Sequence, residues 1–93
     1  MLSKIPIDLK EIKAEDIDKE ILRAGIIAEY DAINLYEQMA SLTKNKDIKQ
    51  VMLDVAREEK EHVGEFQTLL LKLDKQQIQE MQGGKEEVTE LIS

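Results

Sequence analysis

No cysteine occurs among the 93 residues, which excludes a disulfide framework, a thiolate nucleophile and any Cys-ligated zinc or iron–sulfur site. Tryptophan is absent too, and one phenylalanine and two tyrosines are the whole aromatic complement, so the core must be aliphatic. The only proline is Pro6, and everything after it is free of the residue that most strongly breaks helices. No apolar run approaches the ~18 residues of a membrane span. The N-terminus lacks a basic segment leading into an apolar stretch and a cleavage site. The chain therefore reads as soluble, unexported and cytoplasmic, with no membrane partner. Lys and Arg number 13 against 20 Asp and Glu, giving a net charge of −7. With no basic stripe, nucleic acid is not an expected partner. The acid excess serves either solvated helix faces or a mild attraction of cations.

What the chain does have is charge, 35% of its residues, in the balance typical of long solvated helices with aliphatic seams. Its length makes one small domain over 1–93, which buries only a modest fraction of its surface alone, so oligomerisation is expected. Residues 1–14, around Pro6, read as an extended arm. Ile17, Ile21, Ala24, Ala28, Ala32, Leu35, Met39 and Leu42 recur at helical spacing and predict a helix over 15–43. Thr43-Lys44-Asn45-Lys46 breaks the pattern, and Asp47 is placed to cap a second helix over 47–73. So short a loop makes the two helices antiparallel. Asp74 is placed to cap a short helix over 75–82, Gly83-Gly84 is expected to end it, and 85–92 reads as another short helix. The expected class is all-α, an antiparallel two-helix hairpin plus short C-terminal helices.

Three polar residues interrupt the apolar seams. In heptad steps the second helix gives Ile48, Met52, Val55, Glu59, His62, Phe66, Leu69 and Leu73, and the first gives Leu22, Gly25, Glu29, Ala32, Tyr36 and Met39. An ionised carboxylate in such a seam costs several kcal/mol unless something pairs with it. Glu29 lies about 15 residues before the loop centre and Glu59 about 15 after it, so the hairpin brings them level. Glu59 and His62 are one turn apart on one face. Carboxylates with one imidazole suit iron, manganese or zinc. Two-metal carboxylate bundles take a Glu from each of two helices and a Glu-x-x-His from each of the other two. This chain carries half of that set, so a two-fold dimer forming a four-helix bundle would complete it, with about one metal per chain.

Each of these residues has a plainer reading as well. His62 could be a satisfied core histidine, with Glu29 and Glu59 turned to solvent. Tyr36, two turns beyond Glu29, is either a core tyrosine or a hydrogen-bond or electron donor to the site. Asp31, Glu58, Glu61 and Glu65 either guide cations inward or are ordinary solvated acids. Gly25 and Ala32 flank Glu29 and let another helix come close, as routine packing also would.

The stretch Ile26-Ile27-Ala28-Glu29-Tyr30-Asp31-Ala32-Ile33-Asn34-Leu35-Tyr36-Glu37-Gln38, together with Asp54-Val55-Ala56-Arg57-Glu58-Glu59-Lys60-Glu61-His62, resembles the encapsulated ferritins. These are two-helix ferritin-like proteins housed in encapsulin nanocompartments. The resemblance covers nearly the whole chain and is strongest to the ferritin-like domain fused to the front of some archaeal encapsulin shell proteins. It implies a ferroxidase centre shared by two chains and holding two iron ions, with Glu29 and His62 as terminal ligands, Glu59 bridging and Tyr36 nearby. It also implies rings of dimers, a decamer, inside an encapsulin shell. Two features depart from that pattern. Ala28 stands where members with an acidic iron funnel have glutamate, with Asp31 two positions after Glu29. The chain also ends at Glu90-Leu91-Ile92-Ser93 without a shell-targeting tail, as expected of a domain cut from a longer fused protein.

The expected function is oxidation of Fe(II) to Fe(III) with dioxygen, feeding iron storage. Two rivals stand beside it. One is a peroxide or oxygen reductase like rubrerythrin, whose usual Cys-ligated electron donor this chain does not encode. The other is a non-enzymatic helical module stapled by zinc.

Overall fold

The computed structural model describes Lys13, Ala14 and residues 16–93. The expected arm therefore lies outside the described residues, apart from Lys13 and Ala14. Three helices follow: α1 (Ile17–Leu42), α2 (Lys46–Leu73) and α3 (Lys75–Ile92). No strand occurs among the described residues, so the chain is all-α.

Each boundary has a local cause. Asp18 and Glu20 sit in the first turn of α1, where negative charge favours the positive end of the helix dipole. Thr43 leaves the helix in extended conformation, its N–H still bonded to the Met39 carbonyl. Its Oγ1 accepts the Asn45 N–H at 3.2 Å, and Asn45 Oδ1 accepts the N–H groups of Asp47 and Ile48 at 2.9 and 3.0 Å. The cap of α2 is thus Asn45 and not Asp47 as the sequence reading had it. The Thr43 turn holds Asn45 extended, and Asp47 falls inside the first turn, where its charge still favours the dipole. A cap of this type is worth about 1 kcal/mol.

Asp74 serves both helices it separates. Its N–H closes α2 on the Leu70 carbonyl at 2.9 Å, its Oδ1 accepts the Gln77 N–H at 3.1 Å to start α3, and its Oδ2 accepts from Arg23 Nη2 of α1 at 2.9 Å. The Gln77 N–H, foremost, holds the Asp74 carboxyl below its ordinary value of 3.8. Arg23 and the charge of Lys19 act in the same direction, against an opposing contribution from burial. Beyond it, α3 runs unbroken through Gly83–Gly84, where two short helices had been expected. Neither glycine takes positive φ, so neither acts as a left-handed C-cap. Glycine permits a break without requiring one, at a cost of about 1 kcal/mol each against alanine. A Gln82–Glu86 side-chain hydrogen bond of 3.1 Å spans the pair.

The hairpin seam is narrow. Ile33 and Ala40 of α1 and Ala56, Val63 and Leu70 of α2 are the buried apolar residues among those described. The last three are spaced by seven, as a left-handed helix pair demands. They are not the expected α2 stripe, of which Ile48, Leu69 and Leu73 remain 47%, 50% and 47% exposed. Helix α2 thus has two adjoining apolar stripes, one closed on α1 and one left partly open beside it. On α3 nothing is buried. The radius of gyration, 16.5 Å, exceeds the ~12 Å of a compact chain this long, as suits a hairpin carrying a third helix apart from it.

Candidate metal centre

Residues at matching heights on antiparallel helices meet across the seam, and here they are Glu29 of α1 with Glu59 and His62 of α2. One ligand atom from each lies within 4.8 Å of the others. His62 Nδ1 is 3.5 Å from Glu29 Oε2 and 3.4 Å from Glu59 Oε2. The two carboxylates are mostly shielded, at 17% and 20% side-chain exposure, whereas His62 is 45% exposed and faces the open stripe. Glu29 Oε2 is buried and, among the described residues, has no hydrogen-bond partner.

The neighbouring cations are engaged elsewhere. Lys60 pairs with Glu37 at 2.9 Å. Arg57 hydrogen-bonds Asp54 at 3.1 Å and lies 3.9 and 3.8 Å from Glu58 and Glu61. Neither reaches Glu29 or Glu59 among the ion pairs of the described residues. Two carboxylates, one orphaned buried oxygen and one imidazole nitrogen facing both make a donor set that suits a divalent ion of the iron, manganese or zinc type. An open side remains for further ligands. The donor set fits iron among these ions.

The other candidate residues divide. Tyr36 is part-buried on α1, seven residues past Glu29 and so about 10 Å further along the axis, outside the three-residue cluster. Glu58, Glu61 and Glu65 are exposed, the first two beside Arg57. Asp31 is buried rather than solvated. The sequence reading missed Phe66 as part of the surroundings of the cluster. Two carbons of its ring lie 3.2 Å from where a Cβ on Gly25 would stand. The available signals were a lone phenylalanine one turn after His62 and a glycine one turn before Glu29.

Comparison with known proteins places the chain in a family. Residues 20–91 match the family model described as Rubrerythrin. The chain is 62% identical over 72 residues, 77% of its length, to a ferritin-like-encapsulin shell fusion protein of Pyrococcus furiosus. It is 43% identical over 56 residues, 60% of its length, to the encapsulin nanocompartment cargo protein EncC of Myxococcus xanthus. The matches span 21% and 43% of those two proteins. The crystal structure of the encapsulated ferritin domain from Pyrococcus furiosus superposes with a TM-score of 0.85 at 52% identity, covering 99% of this chain and 96% of that one. The chain belongs to the rubrerythrin family, as a ferritin-like domain of the encapsulated-ferritin kind.

Proposed function

We propose that two copies of this chain pair through the open stripe of the hairpin and hold two Fe(II) ions between them as the substrate of an iron-oxidising reaction. The observation that carries this reading is the half-set of ligands: Glu29, Glu59 and His62 within 4.8 Å, with one buried Glu29 oxygen lacking a hydrogen-bond partner among the described residues. A two-fold axis beside His62 doubles the set to four carboxylates and two imidazoles, the complement of a two-metal bundle. Four carboxylate charges then balance two Fe(II). Glu29 and His62 act as terminal ligands, and Glu59 reaches across to both ions. Tyr36, about 10 Å along α1 from Glu29, serves the shared centre as a hydrogen-bond or electron donor.

Each Fe(II) yields one electron, so the pair matches an acceptor that takes two. Dioxygen with two protons becomes hydrogen peroxide, and Fe(III) leaves for storage. The kinship with a shell-fused ferritin-like domain and a shell cargo protein supports action inside an encapsulin nanocompartment in the cytoplasm. Assembly of the dimers into a ring, a decamer, is implied by the resemblance to the encapsulated ferritins alone.

Anaerobic Fe(II) titration is expected to plateau at about one iron per chain, and admitting air should then give rapid ferric absorbance. A tight plateau at two irons per chain in a fully active monomer would overturn the shared centre. Iron or zinc bound without oxidation would leave only the staple. The family match also favours a second reading, reduction of peroxide. Sustained turnover with peroxide and an added reductant, faster than with dioxygen, would select it.

A further inference from the structure

Helical side chains lean toward the N-terminus of their own helix. In an antiparallel pair these leans oppose each other, so Glu29 of α1 reaches back over the turn that starts at Gly25, and Phe66 of α2 reaches back over the turn that starts at His62. The two leans converge. A Cβ on Gly25 would lie 3.2 Å from Phe66 Cδ2 and Cε2, closer than the ~3.5–4.0 Å of relaxed carbon contacts, and 3.6 Å from Cγ. The ring therefore lies against the bare backbone of α1, one turn below the metal-facing residues of both helices. The other glycine of the hairpin, Gly64, has open space around its Cβ position, so the close fit is particular to Gly25.

We infer that Gly25 and Phe66 are a size-matched pair of positioning residues for the metal centre: the missing Cβ lets the ring seat between the helices, and the seated ring fixes the floor on which Glu29 and His62 hold their ligand atoms together. The inference rests on the metal-centre reading above. Phe66 supplies no donor atom, and Gly25 supplies no side chain. Their action is through the placement of the ligands and the exclusion of water beneath them. Any side chain at position 25 displaces the ring by a few tenths of an ångström, and the ring's neighbours one turn along are the ligands themselves.

The test uses Co(II) binding by the full chain, read as affinity and as the visible spectrum that reports coordination geometry, with thermal stability measured in parallel. Gly25→Ala and Gly64→Ala make the same helix-favouring change. Only Gly25→Ala is expected to weaken Co(II) binding, by about tenfold, with an altered spectrum, as is usual for residues that orient ligands. The double variant Gly25→Ala/Phe66→Leu should return to within about threefold of the parent, because the shorter side chain makes room for the methyl. Parent-like affinity and spectrum in Gly25→Ala, or a double variant as weak as the single one, would overturn the inference. Should Gly25→Ala not fold, Phe66→Leu alone decides. It introduces no clash, is expected to weaken binding about fivefold, and with unchanged affinity and spectrum would equally refute the pairing. A parent chain that does not bind Co(II) removes the metal-centre reading and this inference together. Parent binding with an indifferent Gly25→Ala removes this inference alone.

Discussion

Helix α2 carries two charged groups within one stretch, and they are built oppositely. On its outer side Arg57 stands among Asp54, Glu58 and Glu61, all more than half exposed, so water and a cation balance every acid. On its inner side Glu59 meets Glu29 with His62 beside them, and one Glu29 oxygen has no hydrogen-bond partner among the described residues. The same side-chain chemistry is thus nearly free of consequence at one site and costly at the other. The difference is one of placement: Arg57, about half a turn from Glu59, pairs with the outer acids instead. A fold that only needed stability would have had apolar residues at positions 29 and 59.

The largest expected effect breaks the inner group. Glu59→Ala or His62→Ala should abolish rapid Fe(II) oxidation while leaving far-ultraviolet circular dichroism nearly intact, and Arg57→Ala should keep the rate within about twofold. Stopped-flow oxidation with dichroism checks this. Equal losses in all three would erase the distinction between the groups.

Next in size is a stability effect of opposite sign to the usual core substitution. In metal-free protein Glu29→Leu is expected to raise the unfolding free energy by about 1 kcal/mol, because a shielded carboxylate with one oxygen lacking a hydrogen bond is replaced by an apolar side chain of similar size. Urea unfolding in the presence of a chelator measures it. A loss of stability would mean that Glu29 is already compensated without metal.

A third group, Asp74, sharpens the contrast because it is an acid with all its partners in place. Its folded pKa lies below the ordinary 3.8, so its charge stabilises the fold fully above that value and loses the contribution as pH falls through the lower folded one. Asp74→Asn keeps an acceptor for Gln77 but removes the charge facing Arg23. The parent should therefore melt higher than the variant at neutral pH, with the two curves converging below pH 3.8. A melting difference that persists unchanged into strong acid would exclude the charge as its cause.

The smallest effect belongs to the outer group. Arg57→Ala is expected to change stability by no more than about 0.5 kcal/mol, and less in high salt. A larger, salt-resistant loss would show that the outer acids are not solvent-balanced.

Much of this was readable from residue order, and the limits have physical reasons. Equal distances of Glu29 and Glu59 from the turn are a counting argument, and the helices did bring them together with His62. The width of the α2 stripe was not readable, since heptad steps starting at Ile48 and at Lys49 describe adjoining faces. Choosing between them requires knowing that Ala56, Val63 and Leu70 close on α1. Asn45 and Asp47 are equally competent caps, and the choice fell to a hydrogen bond from the Asn45 N–H to Thr43 Oγ1. The glycine pair in α3 misled because a propensity is a cost and not a prohibition. The seat of Phe66 on Gly25 depends on how near the helices come, which spacing alone does not give.

The three-residue turn between Leu42 and Lys46 bears on the order of events in folding. Contacts between α1 and α2 pair residues placed symmetrically about it, so each one formed shortens the loop that the next must close. The hairpin is therefore expected to zip from Asn45 outward in a first-order phase, completing Glu29, Glu59 and His62 within a single chain before any encounter with a second. Refolding followed by far-ultraviolet dichroism should accordingly be independent of protein concentration, while recovery of iron oxidation should accelerate with it.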